Sequence, residues 1–314
     1  NTANALYLNA SDRLRFTPAA NWNGTLAPLV FRVADDTMPT TASGTRLNVN
    51  DFTSGTGAMS QSPSSFSVSI AAVNDAPVLT TTSTARSYTE NATAIVANND
   101  LSLSDVDSAN LTGATVQITS GLTTGDALSF TAANGITGTY DATAGKLTLT
   151  GTATVAQYRT ALQTVTYSST SDTPTASSAS RTLTWQVNDG ASANNLSSSA
   201  TSTINVTAVN DAPVVTPNTT ARSYTENATA IVANNNLSLS DVDSADLTGA
   251  TVQITSGLTT GDVLAFANTV KITGTYAAGT GKLTLSGTAT KAEYQAALQA
   301  VTYSSTSENP TTTS

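Results

Sequence analysis

An internal repeat runs through most of this 314-residue chain and limits the folds that it can adopt. When residue 73 is placed on residue 209, a shift of 136 (209 minus 73), the two segments align without a gap to the end of the chain, and about three-quarters of the positions match. Duplication at a fixed period is typical of tandem structural units. We name residues 1–74 unit one, 75–210 unit two and 211–314 unit three.

The composition and the local pattern both favour β-structure. The chain is rich in Thr, Ser, Asn, Ala and Val, and apolar residues alternate with polar ones in RTLTWQVND (181–189), STINVTAV (202–209) and SFSVSIAAV (65–73). Alternation of this kind predicts half-buried strands. We therefore predict an all-β chain of tandem antiparallel β-sandwich domains, and we expect Trp22 and Trp185 in their cores.

One segment in each of units two and three departs from the strand pattern. In GTATVAQYRTALQTV, Tyr158, Leu162 and Val165 recur at helical spacing. Thr154 with Gln157, and Thr290 with Glu293 in unit three, match the capping box that starts a helix. We expect one short helix in each repeat. The five positions 131–135 differ from 267–271, as expected for a hairpin tip.

Unit one resembles the closing part of the same repeat. FRVADD (31–36) aligns with WQVNDG (185–190), and each leads into a strand that ends in AVNDAP. The distance from Asp35 to Val73 exceeds that from Asp189 to Val209 by 18 residues, which predicts a polar loop around 37–64. Unit three lacks counterparts of the last strands of unit two. These ends suggest a section of a longer chain.

The residue inventory excludes several classes of function. The chain has no cysteine and no histidine, which excludes disulfides, Cys/His zinc sites, thiol nucleophiles and Ser-His-Asp hydrolysis. Its formal charge of −9 provides no basic surface for nucleic acid. We find neither an apolar run long enough for a membrane span nor a signal peptide in the first residues. We expect a chain without enzymatic activity.

Acidic residues recur where strands end. In a seven-stranded antiparallel sandwich whose first strand runs away from the linker, the loop after strand two and the end of strand six return to the linker. This topology would bring together the linker pair Asn74 and Asp75, the pair Asp105 and Asp107, and Asp189. Closely packed carboxylates repel unless a hard cation lies among them, and Ca²⁺ takes 6–8 oxygen ligands. We therefore predict a calcium site at this end.

The same reasoning extends to unit three and to the other end of unit two. The counterparts in unit three are Asn210, Asp211, Asp241 and Asp243. At the opposite end of unit two, Glu90 and Asp172 are expected to meet Asp211. By position, Glu226 corresponds to Glu90 and Asp35 to Asp189, so both complete the set of candidate calcium ligands.

The linker VNDAP, followed about thirty residues later by DVD and then by VNDG, is similar to the pattern of cadherins. It more closely resembles the cadherin-like tandem repeats of giant bacterial adhesins, the RTX adhesins exported by type I secretion. The resemblance covers residues 73–314 well and 1–74 in part. It implies calcium ions as the only cofactor, held at the linkers and stiffening an extracellular stalk. The chain lacks the Asp-Arg-Glu element of animal cadherins and any glycine-rich nonapeptide calcium repeat.

Several alternatives stay open at this point. Asp105 and Asp107 are also suited to a turn, and Asn74-Asp75-Ala76-Pro77 to an ordinary stiff linker. A carboxylate pair is also the acid and base of a glycosidase, but two copies of the pair with only two tryptophans argue against sugar hydrolysis. A recognition module would use the 131–135 tip or the 37–64 loop to bind sugar or protein.

We expect a stalk segment that projects a distal binding domain from a bacterial cell surface, for attachment or biofilm formation. Its expected partners are the neighbouring repeats of a longer chain, and the segment itself is expected to be monomeric. A self-assembling fibre, in which residues 1–74 of a neighbour donate strands to unit three, is the further alternative.

Overall fold

The computed structural model describes residues 4–54, 57–82 and 84–308. Most of its regular structure is β, with two short α-helices in the described residues. The predicted all-β fold of antiparallel β-sandwich units is confirmed, and units two and three each contain one short α-helix. Among the described residues, no helix has the length and apolar character that a membrane crossing requires.

Unit two contains eleven strands and one helix in the described residues, four strands more than the predicted sandwich. They are β7 (Val78–Thr81), β8 (Arg86–Thr89), β9 (Ile95–Val96), β10 (Leu101–Ser104), β11 (Asn110–Ser120), β12 (Asp126–Ser129), β13 (Thr137–Asp141), β14 (Lys146–Thr154), α1 (Val155–Gln163), β15 (Thr166–Ser169), β16 (Ser180–Asn188) and β17 (Ala200–Thr207). Part of the difference arises because the chain crosses between layers after β7: β7 pairs with β10, whereas β8 pairs with β17.

Two layers enclose the core of unit two. The larger sheet has the order β13-β14-β11-β16-β17-β8, and the second layer holds β12-β15-β9 and the pair β7-β10. All neighbours are antiparallel except β8 and β17, which run in parallel with Thr89 opposite Thr207. Alternate residues of β11 and β16 face inward, and the indole of Trp185 is fully buried and donates to Ser202 Oγ at 2.8 Å.

Both predicted helices form where the capping boxes place them. Helix α1 starts after Thr154, whose hydroxyl accepts from the backbone N–H of Gln157, while the Gln157 side chain accepts from the Thr154 backbone. Helix α2 (Lys291–Gln299) repeats this arrangement with Thr290 and Glu293. Tyr158 and Leu162 turn inward, so the helix covers one end of the core, and its capping is confirmed.

Unit three repeats the first part of this architecture. It holds β18 (Val214–Thr216), β19 (Ile231–Val232), β20 (Ser238–Ser240), β21 (Asp246–Gln253), β22 (Asp262–Ala265), β23 (Thr273–Ala277), β24 (Lys282–Thr290), α2 and β25 (Thr302–Ser305). Its sheets are β21-β24-β23, β19-β25-β22 and β18-β20. A second core forms around Leu285 and Tyr294.

Unit one is built from short strands in two-stranded pairs. They are β1 (Ala5–Leu6), β2 (Gly24–Thr25), β3 (Leu29–Phe31), β4 (Arg46–Leu47), β5 (Ser64–Phe66) and β6 (Ser69–Ile70). Within the stretch around 37–64 that was predicted as a polar loop, the structure has β4 and a 3-10 helix (Val49–Phe52), and β4 pairs with β1. The prediction that Trp22 is a core residue is also wrong: Trp22 lies on an exposed segment before β2.

Candidate metal centres at the unit junctions

The first candidate centre, which we call the upper junction, lies where unit one meets unit two. Strand β7 leaves the linker and β10 runs back antiparallel to it, with Ser104 opposite Val78. The loop after β10 therefore carries Asp105 and Asp107 to the linker. Strand β16 ends beside the start of β11, with Asn188 opposite Gly113, which brings Asp189 to the same place.

The linker asparagine is held by the loop that follows β16. Asn74 Nδ2 donates to Asp189 Oδ2 at 2.8 Å and to the carbonyl of Asn194 at 3.1 Å. In return, Asn194 Nδ2 donates to the carbonyl of Asn74 at 2.9 Å. Asn194 adopts a left-handed backbone conformation with φ of 52°, which asparagine tolerates better than most residues. The sequence reasoning overlooked Asn194; its place in an Asn-rich turn beside Asp189 was the available signal.

The DVD loop makes contacts from both of its carboxylates. Asp107 Oδ2 accepts from the backbone N–H of Asp75 at 3.0 Å. Asp105 Oδ1 accepts from the backbone N–H groups of Asp107 and Ser108, as in the turn that was the simpler interpretation. Asp105 Oδ2, however, is buried without a hydrogen-bond partner. Burial raises the pKa of Asp105 above its ordinary value of 3.8, outweighing those backbone hydrogen bonds.

The start of unit three repeats part of this geometry. Asp243 Oδ2 accepts from the backbone N–H of Asp211 at 2.9 Å, and Asp241 Oδ1 accepts from Ser244 N at 2.8 Å. This last hydrogen bond is the main reason why the pKa of Asp241 lies below 3.8. Asn210 donates to the carbonyl of Asp211 instead of to a distant carboxylate. The described residues contain no strand in unit three equivalent to β16, so no counterpart of Asp189 reaches Asn210.

The second candidate centre, which we call the lower junction, joins unit two to the linker that starts unit three. One carboxylate oxygen from each of Glu90, Asp172 and Asp211 lies within 4.8 Å of the other two. Glu90 follows β8, whose parallel pairing with β17 continues as Glu90 N donates to Thr207 O at 2.9 Å. Glu90 Oε2 then accepts from the backbone N–H of Val209 at 2.7 Å, which fixes the carboxylate against the linker.

Two oxygens of the lower junction lack a hydrogen-bond partner. Glu90 is only 4% exposed, and its Oε1 atom is buried without a hydrogen-bond partner. The Oδ2 atom of Asp211 is also buried without a hydrogen-bond partner. In the described part of the chain, the ion pairs are Asp126–Arg181 and Lys271–Glu293, so no cationic side chain pairs with these acids. Buried, unpaired carboxylate oxygens are costly, and a hard divalent cation would relieve both the repulsion and the lost hydration. The residues present therefore fit calcium.

Two predicted ligands are not brought to any such cluster. Glu226 is exposed, because its segment has no β17 equivalent to pair with in the described residues. Asp35 is also exposed, and its Oδ1 accepts from the backbone and hydroxyl of Thr37. Asn210 contacts only its chain neighbour Asp211 among the candidates. The other ten lie near one another at the junctions or at the start of unit three, and the role of all eleven as ligands stays a prediction.

A buried polar cluster of unit two was not predicted from the sequence. Asp126 and Arg181 are both fully buried as side chains and form an ion pair at 2.6 Å. Tyr167 donates to Asp126 Oδ1 at 2.7 Å, and burial followed by this hydrogen bond raises the tyrosine pKa. Arg181 also donates to the carbonyl of Pro174 at 2.7 Å. Nothing local in the sequence links residues that are 55 positions apart.

Comparison with known proteins adds little to this description. No protein-family model matches the sequence. No curated protein matches it. Among solved structures, the chain is similar to protocadherin gamma B7 extracellular cadherin domains 1–4, at 13% identity over 73% of this chain and 45% of that one, with a TM-score of 0.26.

Two further solved structures match in the same range. PcdhgB3 EC1–4 is 15% identical over 74% of this chain and 46% of its own, with a TM-score of 0.26. The human desmocollin-1 ectodomain is 11% identical over 83% and 39%, with a TM-score of 0.25. This chain therefore spans less than half the length of each.

Proposed function

We propose that this chain is a calcium-stiffened stalk segment of a large extracellular bacterial adhesin. The observation that carries the proposal is the lower junction, where Glu90, Asp172 and Asp211 converge and leave two buried carboxylate oxygens without partners. Glu90 and Asp172 belong to unit two, and Asp211 starts unit three. A divalent cation held by all three would tie consecutive units together and neutralise their mutual repulsion.

The upper junction would hold calcium in a comparable way. Asn74, Asp75, Asp105, Asp107 and Asp189 supply oxygens from the linker, the DVD loop and the end of β16. The unsatisfied Asp105 Oδ2 is the counterpart of the orphaned oxygens at the lower junction. With both junctions filled, the ions would hold successive units in a fixed orientation.

The wider role follows from repetition and composition. Near-identical units in series, an acidic surface and the absence of cysteine and histidine suit a spacer better than an enzyme. In the proposal, the segment lies outside the cell and carries a distal binding domain away from the surface, for attachment or biofilm formation. Type I secretion is the proposed export route, on the strength of the VNDAP repeat pattern alone.

The decisive experiment is calcium titration of a charge-removing variant at the lower junction. We expect Glu90→Gln to weaken calcium binding at one site by about tenfold or more in isothermal titration calorimetry, because an amide is a poorer ligand for a hard cation than a carboxylate. Glu226→Gln is the matched control, since it changes the equivalent residue of unit three where no cluster forms. It should leave binding unchanged.

The outcomes separate the proposal from its alternatives. Equal calcium affinity in both variants and the unaltered chain would remove the lower junction as a metal site. If the chain binds no calcium at millimolar concentration, the stalk proposal fails in its calcium-dependent form.

A further inference from the structure

A lysine side chain reaches the DVD loop of unit three, which is Asp241-Val242-Asp243. Lys291 is the first residue of α2, and its ammonium group donates to the backbone carbonyl of Asp241 at 2.6 Å. Asp243 in the same loop accepts from the backbone N–H of Asp211, which belongs to the lower junction. A positive charge is therefore bound to the loop that contacts a candidate calcium ligand.

Unit two has the same backbone arrangement without this charge, because Val155 stands at the position of Lys291. In both units the backbone N–H of this residue donates to the carbonyl of the alanine that follows the DVDS segment. The acceptor is Ala109 at 3.2 Å in unit two and Ala245 at 3.4 Å in unit three. The start of the helix thus lies beside the DVD loop in each repeat, and the side chain at that position decides whether a charge reaches the loop.

The first acids of the two loops differ in the same sense. In unit two, Asp105 Oδ2 is buried without a hydrogen-bond partner. In the described part of unit three, no oxygen of Asp241 is left in that state, although Asp241 is only 7% exposed. The loop of unit three therefore has a cation supplied by its own chain.

A nearby acid does not cancel the lysine. Asp246 stands at the start of β21, where unit two has Asn110 at the start of β11. Neither ion pair of the residues that the structure describes includes Asp246 or Lys291. Asp246 is exposed, so water and salt screen its charge, whereas Lys291 is half-buried and bound to the loop.

Lys291 and a calcium ion would compete for this loop. Backbone carbonyls are ordinary calcium ligands, and the Lys291 ammonium already binds one of them. Its positive charge also repels a divalent cation at the short distances within the loop. Both effects weaken calcium binding without changing any acidic ligand.

We propose that Lys291 is a built-in cation that lowers the calcium affinity of the lower junction. This inference rests on the proposed calcium function and adds a means of regulating it. The residue at the start of the helix sets the calcium concentration at which the junction stiffens, while the acidic ligands stay the same. Valine or lysine at this one position gives repeats of one design different calcium responses.

The experiment is isothermal calcium titration of the full 314-residue chain at low ionic strength. We expect Lys291→Met, which removes the charge and keeps a long apolar side chain, to raise the calcium affinity of one site by about three- to tenfold. Lys291→Arg keeps the charge and should retain the affinity of the unaltered chain. Lys282→Met is the matched control, because it removes the same charge from the far end of β24.

Two further measurements separate an effect of charge from an effect of packing. Val155→Lys should lower the calcium affinity of the upper junction by a similar factor, because its helix start has the same place beside the loop. The gain in Lys291→Met should also shrink when the salt concentration rises from about 20 mM to about 500 mM, because ions screen the lysine charge. A change of packing would not depend on salt in this way.

The outcomes distinguish this inference from the proposed function. A salt-dependent gain of affinity in Lys291→Met that is absent in Lys291→Arg and in Lys282→Met supports the built-in cation. If the chain binds calcium and Lys291→Met leaves every affinity unchanged, the inference is overturned and the stalk proposal stands. If no variant binds calcium, both are overturned. Thermal unfolding in chelator confirms that each variant is folded.

Discussion

Single residues of the same type meet different surroundings in the two repeats. Asp126 has a buried arginine at 2.6 Å, whereas Asp262, at the equivalent position, has Tyr303 Oη at 2.8 Å and no arginine. Burial, followed by the hydrogen bond to Asp262, raises the pKa of Tyr303 to about 12. Removing one partner of the Asp126–Arg181 pair should leave a buried charge in unit two.

We predict that Arg181→Met destabilises unit two by about 3–5 kcal/mol, because the Asp126 carboxylate remains buried without its counter-ion. The double variant Asp126→Asn with Arg181→Met should recover part of the loss, since it removes the stranded charge. Urea unfolding followed by Trp185 fluorescence measures both. In unit three, Asp262→Asn has no ion pair to break and should cost less than Asp126→Asn. Equal stability of Arg181→Met and the unaltered chain would contradict this account.

Strand direction accounts for the positions of several acids, whose role as calcium ligands stays a prediction. Asp105, Asp107 and Asp189 follow strands that return to the linker, so counting strand directions was enough to bring them together. Asp126 and Arg181 could not be found in this way. The contact between these two side chains depends on how the two layers of unit two pack against each other.

Among elements, the strand β14 depends on a glycine that only the tertiary contact explains. Gly151 has φ of 132°, and a Cβ atom there would lie 2.1 Å from the carbonyl oxygen of Gly135. Gly287 repeats this arrangement with φ of 130°. Tyr158 Oη donates to the carbonyl of Gly151 at 2.6 Å, which ties the same bend to helix α1.

We predict that Gly151→Ala destabilises unit two by about 3 kcal/mol or more, because the methyl group would overlap the backbone as well as strain it. Gly135→Ala is the control: its φ of 77° is also left-handed, but a Cβ atom there meets nothing within 4 Å. It should cost only about 1–2 kcal/mol. Thermal unfolding compares the two, and equal losses would show that the clash is relieved by movement of the hairpin.

The helices were predictable because their signals are local. The reciprocal hydrogen bonds of Thr154 with Gln157 span three residues and need no tertiary partner. The parallel pair β8–β17 joins residues more than a hundred positions apart and was not predicted. This parallel pairing places Glu90 beside Val209, so the sheet topology determines the geometry of the lower junction.

Across the whole molecule, the calcium proposal predicts a change in stability and in shape. For a site with a dissociation constant of about 10 μM in about 1 mM calcium, binding adds on the order of 2.7 kcal/mol to the folded state. Chelation should therefore lower the melting temperature by several degrees. It should also shorten the maximum dimension in small-angle scattering, because the junction acids then repel and the units bend at the linkers.

The control for this prediction is magnesium, which requires a smaller and more regular oxygen shell and should restore less of the melting temperature. Scattering should be measured below the concentration at which any oligomer forms. Identical profiles and melting temperatures in calcium and in chelator would contradict stiffening by ions.

The tandem organisation, the β class, the helix positions and the set of acids near the linkers could all be predicted from the sequence. These depend on period, alternation and strand direction, which are all read along the chain. Other features became visible only in the folded chain: the Asp126–Arg181 pair, the parallel strand beside Glu90 and the exposure of Trp22. Those depend on which distant segments pack together, and the free energy of packing is not encoded in any local pattern.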